Sequence, residues 1–280
     1  RLIIDGADER YVYSLQVNRR LRAGGESLTA ERMDIGQALA EQWLPEIQSA
    51  VFASATMTVS NDFAHFTHAV GLDRLPSGSF KSLHLDSSYD FDRNMAVVVA
   101  GDIPDPRDRA AYLDAMERLL VDVHLEMGGS TLTLFTNRRD MEERVEPQLA
   151  RAGLELACQL KGSSTKRLRD HFVAEETSSL FALKAFWEGF DASGDTLRCV
   201  VIPKLPFASP TEPLAVLEVR QAAGRLIRTS TDKGVLVLAD SRLLSKGYGK
   251  KFLASLPTGY QQIASDKVGR YLHMWRSSHE

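Results

Sequence analysis

Gly128-Gly-Ser-Thr-Leu-Thr-Leu-Phe-Thr-Asn137 is the stretch on which the reading of the fold turns. Ahead of it, Arg107–Met127 sets Ala111, Leu113, Met116, Leu119, Leu120 and Val123 at helical spacing, the pattern of a helix with one face on a core. The glycine pair ends that helix and turns the chain into Ser130–Phe135, a short run that is mostly apolar on both faces. Asn137 follows the run directly and precedes a second helical pattern, Arg139–Ala152, so it is a natural N-cap. Runs of the same kind recur at Ser49–Ala55, Met95–Ala100, Leu154–Leu160, Ser179–Leu183, Leu197–Pro203 and Val235–Ala239, with a further helical pattern at Thr165–Glu175. Strands buried on both faces and alternating with helices predict a doubly wound α/β layer sandwich with a mainly parallel sheet.

The opening of the chain reads differently. Residues 1–58 contain an isolated strand at Arg10–Val17, a charged Gly-Gly segment, one helix and the final strand Ser49–Ala55, and read as the tail of a preceding domain; residues 59–280 form the main one. With 280 residues, 44% hydrophobic and 25% charged, the composition is that of a globular protein with ample core. No run of eighteen apolar residues is present, so no membrane span is expected, and Arg1–Tyr11 lacks the apolar core of a secretory signal. The net charge of −3 neither favours nucleic acid nor excludes it, because a few local contacts suffice to grip a short strand. Two cysteines are too few for a four-cysteine zinc or iron–sulfur site. Cys158 and Cys199 read as core thiols suited to a reducing cytoplasm, with a disulfide between adjacent strands as the alternative.

Three segments carry candidate chemistry. In Gln221-Ala-Ala-Gly-Arg225-Leu-Ile-Arg228, one helical turn separates Gln221, Arg225 and Arg228, so the pattern places an amide and two guanidiniums on one stripe. Such a stripe can face a triphosphate held by another surface and neutralise charge developing on its γ-phosphate; a solvated basic helix is the competing reading. In Phe186-Trp-Glu-Gly-Phe-Asp-Ala-Ser-Gly-Asp195, two glycines and two aspartates follow a strand end, where open α/β sheets bind ligands. Phe186 and Trp187 stack on bases if exposed and belong to the core if not. Ser54-Ala55-Thr56-Met57 offers small hydroxyls at a strand end that can relay contacts from a phosphate site. His65 and His68 share a helix without a third ligand, and Lys161–Arg169 is a basic run best read as a solvated helix start. Asp266–Ser278, with Val268, Tyr271, Leu272 and Trp275, reads as a helix packed back on the domain.

Taken in order, Ser54-Ala-Thr-Met57, Phe135-Thr-Asn137, Phe186-Trp-Glu-Gly-Phe-Asp191 and Gln221-x-x-Gly-Arg-Leu-Ile-Arg228 closely resemble helicase motifs III, IV, V and VI of the DinG/XPD group of superfamily-two DNA helicases. Ile103-Pro-Asp-Pro106, Ile202-Pro-Lys-Leu-Pro-Phe207, Asp240-Ser-Arg242 and Tyr248-Gly-Lys250 fall in the same order. The resemblance covers about residues 50 to 257 and is nearer to bacterial DinG than to eukaryotic XPD. It implies a RecA-like domain from residue 59 onward, preceded by a remnant of the first motor domain. The intact protein would couple ATP hydrolysis to 5′-to-3′ movement on single-stranded DNA, in repair or replication.

By the same resemblance, Gly189, Asp191, Gln221, Arg225 and Arg228 reach ATP from this side of a cleft between two motors, with Gln221 and the two arginines acting in catalysis. Ser54, Ala55 and Thr56 couple the domains. Thr136, Asn137 and Arg138 hold the strand at a helix N-terminus, with Phe186 and Trp187 against its bases. ATP and Mg²⁺ fall mostly to the first motor domain, and an iron–sulfur cluster, where the group has one, lies in that half as well. Three departures qualify the match. No Gly-x-x-x-x-Gly-Lys-[Ser/Thr] and no Asp-Glu-x-His box occurs, so this chain alone is expected to be inactive. Pro210-Thr-Glu-Pro-Leu214 runs straight into Ala215, where the group usually has a longer insert. Lys184-Ala185 stands where it often has a hydroxyl residue. The readings from other classes are a non-enzymatic RecA-like docking module and a nucleotide-binding enzyme of another α/β family.

Overall fold

The computed structural model describes residues 8–17, 25–54, 56–59, 62–142, 156–175, 177–183, 186–187, 194–207 and 212–279. The chain divides into two compact units, Arg1–His84 and Leu85–Glu280.

In the smaller unit, β1 (Tyr11–Val17) pairs antiparallel with β2 (Glu26–Arg32), in a register running from Tyr11 opposite Arg32 to Val17 opposite Glu26. The strand read as isolated therefore has a partner, in a segment whose charges hid its period. Asp34 caps the helical turn Ile35–Ala38, accepting from the Gln37 amide at 3.1 Å, and also holds Arg74 at 2.7 Å. The expected strand at Ser49–Ala55 is corrected: residues 49–54 have no ladder partner, and Val51 is 92% exposed. An apolar run becomes a strand only where another strand satisfies its backbone.

The larger unit is built on a seven-stranded sheet in the order β5-β6-β4-β7-β8-β3-β9, with parallel pairing throughout the described residues. Its strands are β3 (Met95–Val99), β4 (Thr131–Leu134), β5 (Leu156–Cys158), β6 (Ser179–Ala182), β7 (Cys199–Ile202), β8 (Gly234–Leu238) and β9 (Gln261–Gln262). Each run read as a buried strand within residues 95–239 forms a strand, displaced by a residue or two at its described ends, but β5 is half-buried rather than buried. Alternation of side chains then sorts the core into two faces. Val98, Cys199, Val201, Val235 and Val237 pack with α1 (Arg109–Met127), on which Leu113, Met116, Leu120 and Val123 are buried. The intervening Leu132, Leu180, Val200, Ile202 and Leu236 are as fully buried on the opposite face. There α2 (Thr165–Ala174) lies against β5 and β6, and α3 (Glu212–Ala223) against β7. The result is the expected three-layer α/β sandwich. The last helix, α4 (Ser265–Ser277), packs back on α1 through Val268, Leu272 and Trp275.

The Gly128-Gly129 junction works as its sequence predicts. Gly128 adopts φ 66° and its amide closes α1 on the His124 carbonyl at 3.1 Å; Gly129 follows at φ 118° against the Thr177 backbone, where a Cβ has no room. Ser130, also left-handed at φ 50°, accepts from the amides of Arg198 and Cys199 and so fixes where β7 meets β4. Cys158 and Cys199 are free thiols on β5 and β7, and two strands separate them, which excludes the disulfide alternative.

Candidate functional site

Loops leave the C-terminal edge of a parallel sheet with their amides and carbonyls unpaired, and these groups need partners. After β4, Asn137 caps the turn Arg138–Asp140 as read from sequence: its Oδ1 accepts from the Asp140 amide at 2.8 Å and its Nδ2 donates to the Asp140 carboxylate at 2.6 Å. Arg109 of α1 pairs with the other oxygen of that carboxylate. Arg138 donates to Glu142 at 2.9 Å and to the Gln159 carbonyl beyond β5 at 2.8 Å. The Gln159 side chain, largely buried, accepts from the Leu183 amide beyond β6 at 2.8 Å. Of the three residues expected on the strand path, Thr136 is exposed, whereas the side chains of Asn137 and Arg138 are engaged in these bonds.

The Phe186 amide donates to the Leu183 carbonyl at 2.8 Å. The placing of Phe186 and Trp187 against the bases is corrected: of the two readings left open they take the core one, at 0% and 2% exposed. The Trp187 indole N–H donates to the Phe135 carbonyl at 3.4 Å, which joins the segment after β6 to the one after β4. Rings enclosed in this way have no open face for a base. Arg225 completes the enclosure, its guanidinium donating to the carbonyls of Phe186 and Trp187.

The stripe of Gln221, Arg225 and Arg228 is also corrected. Helix α3 stops at Ala223; the amides of Arg225 and Leu226 turn back to Ala222 and Ala223 in tighter bonds, and the chain leaves the helical path at Gly224. Gln221 remains half-buried on the last turn. Arg225 is 4% exposed, and Arg228, beyond the helix, is exposed. Asp232 organises this tail, accepting from the amides of Arg228 at 2.7 Å and Thr229 at 2.8 Å and from the Thr229 hydroxyl at 2.7 Å. Desolvation would raise the Asp232 carboxyl, but bonds from the Thr229 hydroxyl and the amides of Arg228, Thr229 and Gly194 outweigh it and lower its pKa. Asn94, just ahead of β3, donates to the Ser230 carbonyl at 3.1 Å. The two arginines therefore diverge. Arg225 reaches the segment that leaves β6, while the Arg228 amide is held by Asp232, ahead of β8. Neither Asp232 nor Gln159 was picked out from sequence; Thr229-x-x-Asp232, a turn pattern with its own backbone acceptor, is the signal that marks the first.

Beyond β7 and β8 a second set of motif residues meets. Asp240, 1% exposed, accepts from the Leu205 amide at 2.8 Å and from Arg242 Nε at 2.8 Å; Arg242 lies 5.0 Å over the Phe207 ring, and Tyr248 meets the same ring at 5.1 Å.

Ser54 and Thr56 lie in the smaller unit, their hydroxyls 3.3 Å apart, on a loop rather than at a strand end. Ala55, Gly189 and Asp191 fall outside the described residues, as do Lys184 and Ala185. His68 pairs with Asp73 at 2.8 Å, and among the described residues no group of three or more His, Cys, Asp or Glu is placed to hold a metal ion. Ser164 caps α2 inside the basic run 161–169, a solvated helix start. No helix of the described residues is long and apolar enough to cross a membrane.

The family described as Helicase C-terminal domain matches residues 120–215 and 211–259, together half of the chain. The protein named ATP-dependent DNA helicase YoaA from Escherichia coli (strain K12) is 35% identical over 235 residues, covering 75% of this chain and 35% of that protein. The 3′-5′ exonuclease DinG of Bacillus subtilis (strain 168) is 28% identical over 284 residues, covering 90% and 30%. The ATP-dependent helicase DinG of Mycobacterium tuberculosis (strain H37Rv) is 29% identical over 244 residues, covering 79% and 36%. The chain thus spans about a third of the length of these relatives. Its fold is similar to that of S. cerevisiae Dbp5 bound to RNA and ADP BeF3, with a TM-score of 0.54 at 16% identity over 83% of this chain and 54% of that one. Matched over half its length, with motifs in register on a parallel sheet, the chain belongs to the helicase C-terminal domain family, in its DinG-like branch.

Proposed function

We propose that this chain supplies the motif V and VI side of an ATP-dependent 5′-to-3′ DNA helicase of repair or replication, working in the cytoplasm. The observation that supports the reading is the bonding of the segment after β6 to both the segment after β4 and the end of α3, because a motor must link its strand contacts to its nucleotide contacts. On this reading Gln221 and Arg228 address the γ-phosphate of ATP held mostly by the first motor domain. The Arg228 guanidinium, exposed on an anchored backbone, suits a phosphate presented from outside. Mg²⁺, when bound with ATP, neutralises phosphate charge. Single-stranded DNA passes over the C-terminal edge of the sheet near Thr136, where backbone amides suit phosphates. Residues 1–58 are the closing part of the first motor domain, and Gly189 and Asp191 stand on the nucleotide side.

Arg228→Ala in the intact protein tests this. Losing an arginine that acts as the γ-phosphate departs impairs chemistry more than nucleotide binding, by about 10³–10⁵ in rate, or roughly 4–7 kcal/mol. ATPase and unwinding are expected to vanish while single-strand binding survives. Lysine should rescue poorly, because a point charge cannot replace the planar fork, and Gln221→Ala should show a milder form of the defect. A folded Arg228→Ala protein with near-normal ATPase would refute the assignment and favour a docking module.

A further inference from the structure

We propose that Arg225 is a positioning residue that ties the end of α3 to the backbone at Phe186 and Trp187, leaving Arg228 as the motif VI arginine that meets the nucleotide. The two lie three residues apart in a pattern that places them on one stripe, yet the structure gives them opposite surroundings. Arg225 is 4% exposed; Arg228 is exposed. A phosphate carried by another domain cannot reach a guanidinium enclosed in this way without opening the enclosure.

The occupied donors say what the enclosed side chain does instead. Phe186 and Trp187 follow β6 where no strand pairs with them, and both are buried, so their carbonyls need donors from elsewhere in the protein. The fork of Arg225 supplies one N–H to each of these consecutive carbonyls, a geometry that a single ammonium does not reproduce. The same short segment is held at two further points, by the Leu183 amide on Gln159 and by the Trp187 indole on the Phe135 carbonyl. Three contacts thus fix Leu183, Phe186 and Trp187, and Arg225 supplies the one from the turn that follows α3. A shift of this segment, from whatever touches the loops after β4 and β6, is passed through Arg225 to the turn that carries Arg228.

The kinetic half of the test rests on the helicase reading; the structural half does not. In the 280-residue chain, amide hydrogen exchange is measured for the peptide covering residues 183–187 in wild type, Arg225→Lys, Arg225→Gln and Arg228→Ala, each with its melting temperature. Loss of a charge-assisted bond to a buried carbonyl should accelerate exchange there by about tenfold or more in both Arg225 variants. Arg228→Ala should stay within about twofold of wild type. In the intact protein, Arg225→Lys should raise the DNA concentration for half-maximal ATPase stimulation while the KM for ATP holds; Arg228→Ala should remove the ATPase at any DNA concentration. Should lysine fail to fold, the glutamine variant, whose amide still donates to one carbonyl, carries both measurements. Unchanged exchange at 183–187 in a folded Arg225 variant overturns the proposal. So does a fast-exchanging variant whose only kinetic defect is in ATP turnover, with its DNA dependence intact. If wild type itself shows no ATPase, the helicase reading fails and exchange alone still decides the role of Arg225.

Discussion

Acidification from pH 7.5 to 5 should cost the larger unit about 2 kcal/mol of stability through one side chain, His124. The ring sits on α1 with its whole surface buried, its Nδ1 2.9 Å from Ser179 Oγ on β6 and its Nε2 3.0 Å from Thr133 Oγ1 on β4. The rim of Phe181 meets it at 5.3 Å. Both partners are hydroxyls, each able to donate or accept, so the neutral ring is satisfied in either tautomer. No carboxylate among its hydrogen-bond partners compensates a positive charge, and burial lowers its pKa from 6.5 to about 3. The sign follows from proton counting. Above pH 6.5 neither state is protonated, and the neutral ring contributes fully. Between 6.5 and 3 the unfolded chain takes up a proton that the folded one refuses, so stability falls by about 1.4 kcal/mol per pH unit, until protonation of the folded ring near 3 ends the loss. Asp122 on the same helix has a raised pKa, from desolvation and then from Glu126, and acts in the opposite sense. The His124 share is therefore isolated by difference. Urea unfolding followed by the fluorescence of the buried Trp187 and Trp275 gives stability against pH for wild type and His124→Gln, which keeps neutral hydrogen bonding. Curves for the two proteins that run parallel from pH 7.5 to 5 would refute the argument.

Trp187→Ala should lower stability by roughly 3–5 kcal/mol, as for any buried tryptophan, with DNA affinity per folded molecule in the intact protein unchanged. Weakened strand binding at an unaltered melting temperature would restore base stacking. The 280-residue chain alone should show no DNA-stimulated ATPase above contaminant controls, since it carries no phosphate-binding loop of the Gly-x-x-x-x-Gly-Lys type; measurable turnover would overturn that. Peptide mapping of the encoded protein should show additional residues near Leu214–Ala215, where the two family matches overlap at 211–215. A tryptic peptide Leu205–Arg220 at the mass of this sequence would show that no insert is present.

What could be read from the sequence divides along physical lines. Strands β3, β4, β6, β7 and β8 announce themselves because both of their faces are buried, which a continuous apolar run records directly. Strand β9 does not: Gln261 and Gln262 are two exposed polar residues, placed only by pairing with Val98 and Val99. Strand β2 hides for a related reason, its sequence Glu-Ser-Leu-Thr-Ala-Glu-Arg having no apolar face to declare. Ser49–Ala55 errs the other way, because composition reports the capacity for a strand and not the presence of its partner.

The site follows the same division, one level up. Residue types near the functional edge were legible, as were the Asn137 cap and the order of the motifs. Their environments were not. The apolar spacing of Val216, Val219, Ala223 and Ile227 continues past the true end of α3, so periodicity alone carries the helix through Gly224 and puts Arg225 and Arg228 on one face. What separates them is non-local. The Phe186 and Trp187 carbonyls, some forty residues earlier, draw Arg225 inward. Asp232, after the arginines, draws the Arg228 backbone the other way. A buried arginine is stable only where its donors are used, and those donors here hold the segment after β6, which also bonds Phe135 and Gln159. Two arginines of one short motif are thus given different work by their acceptors, one inside the protein and one at its surface.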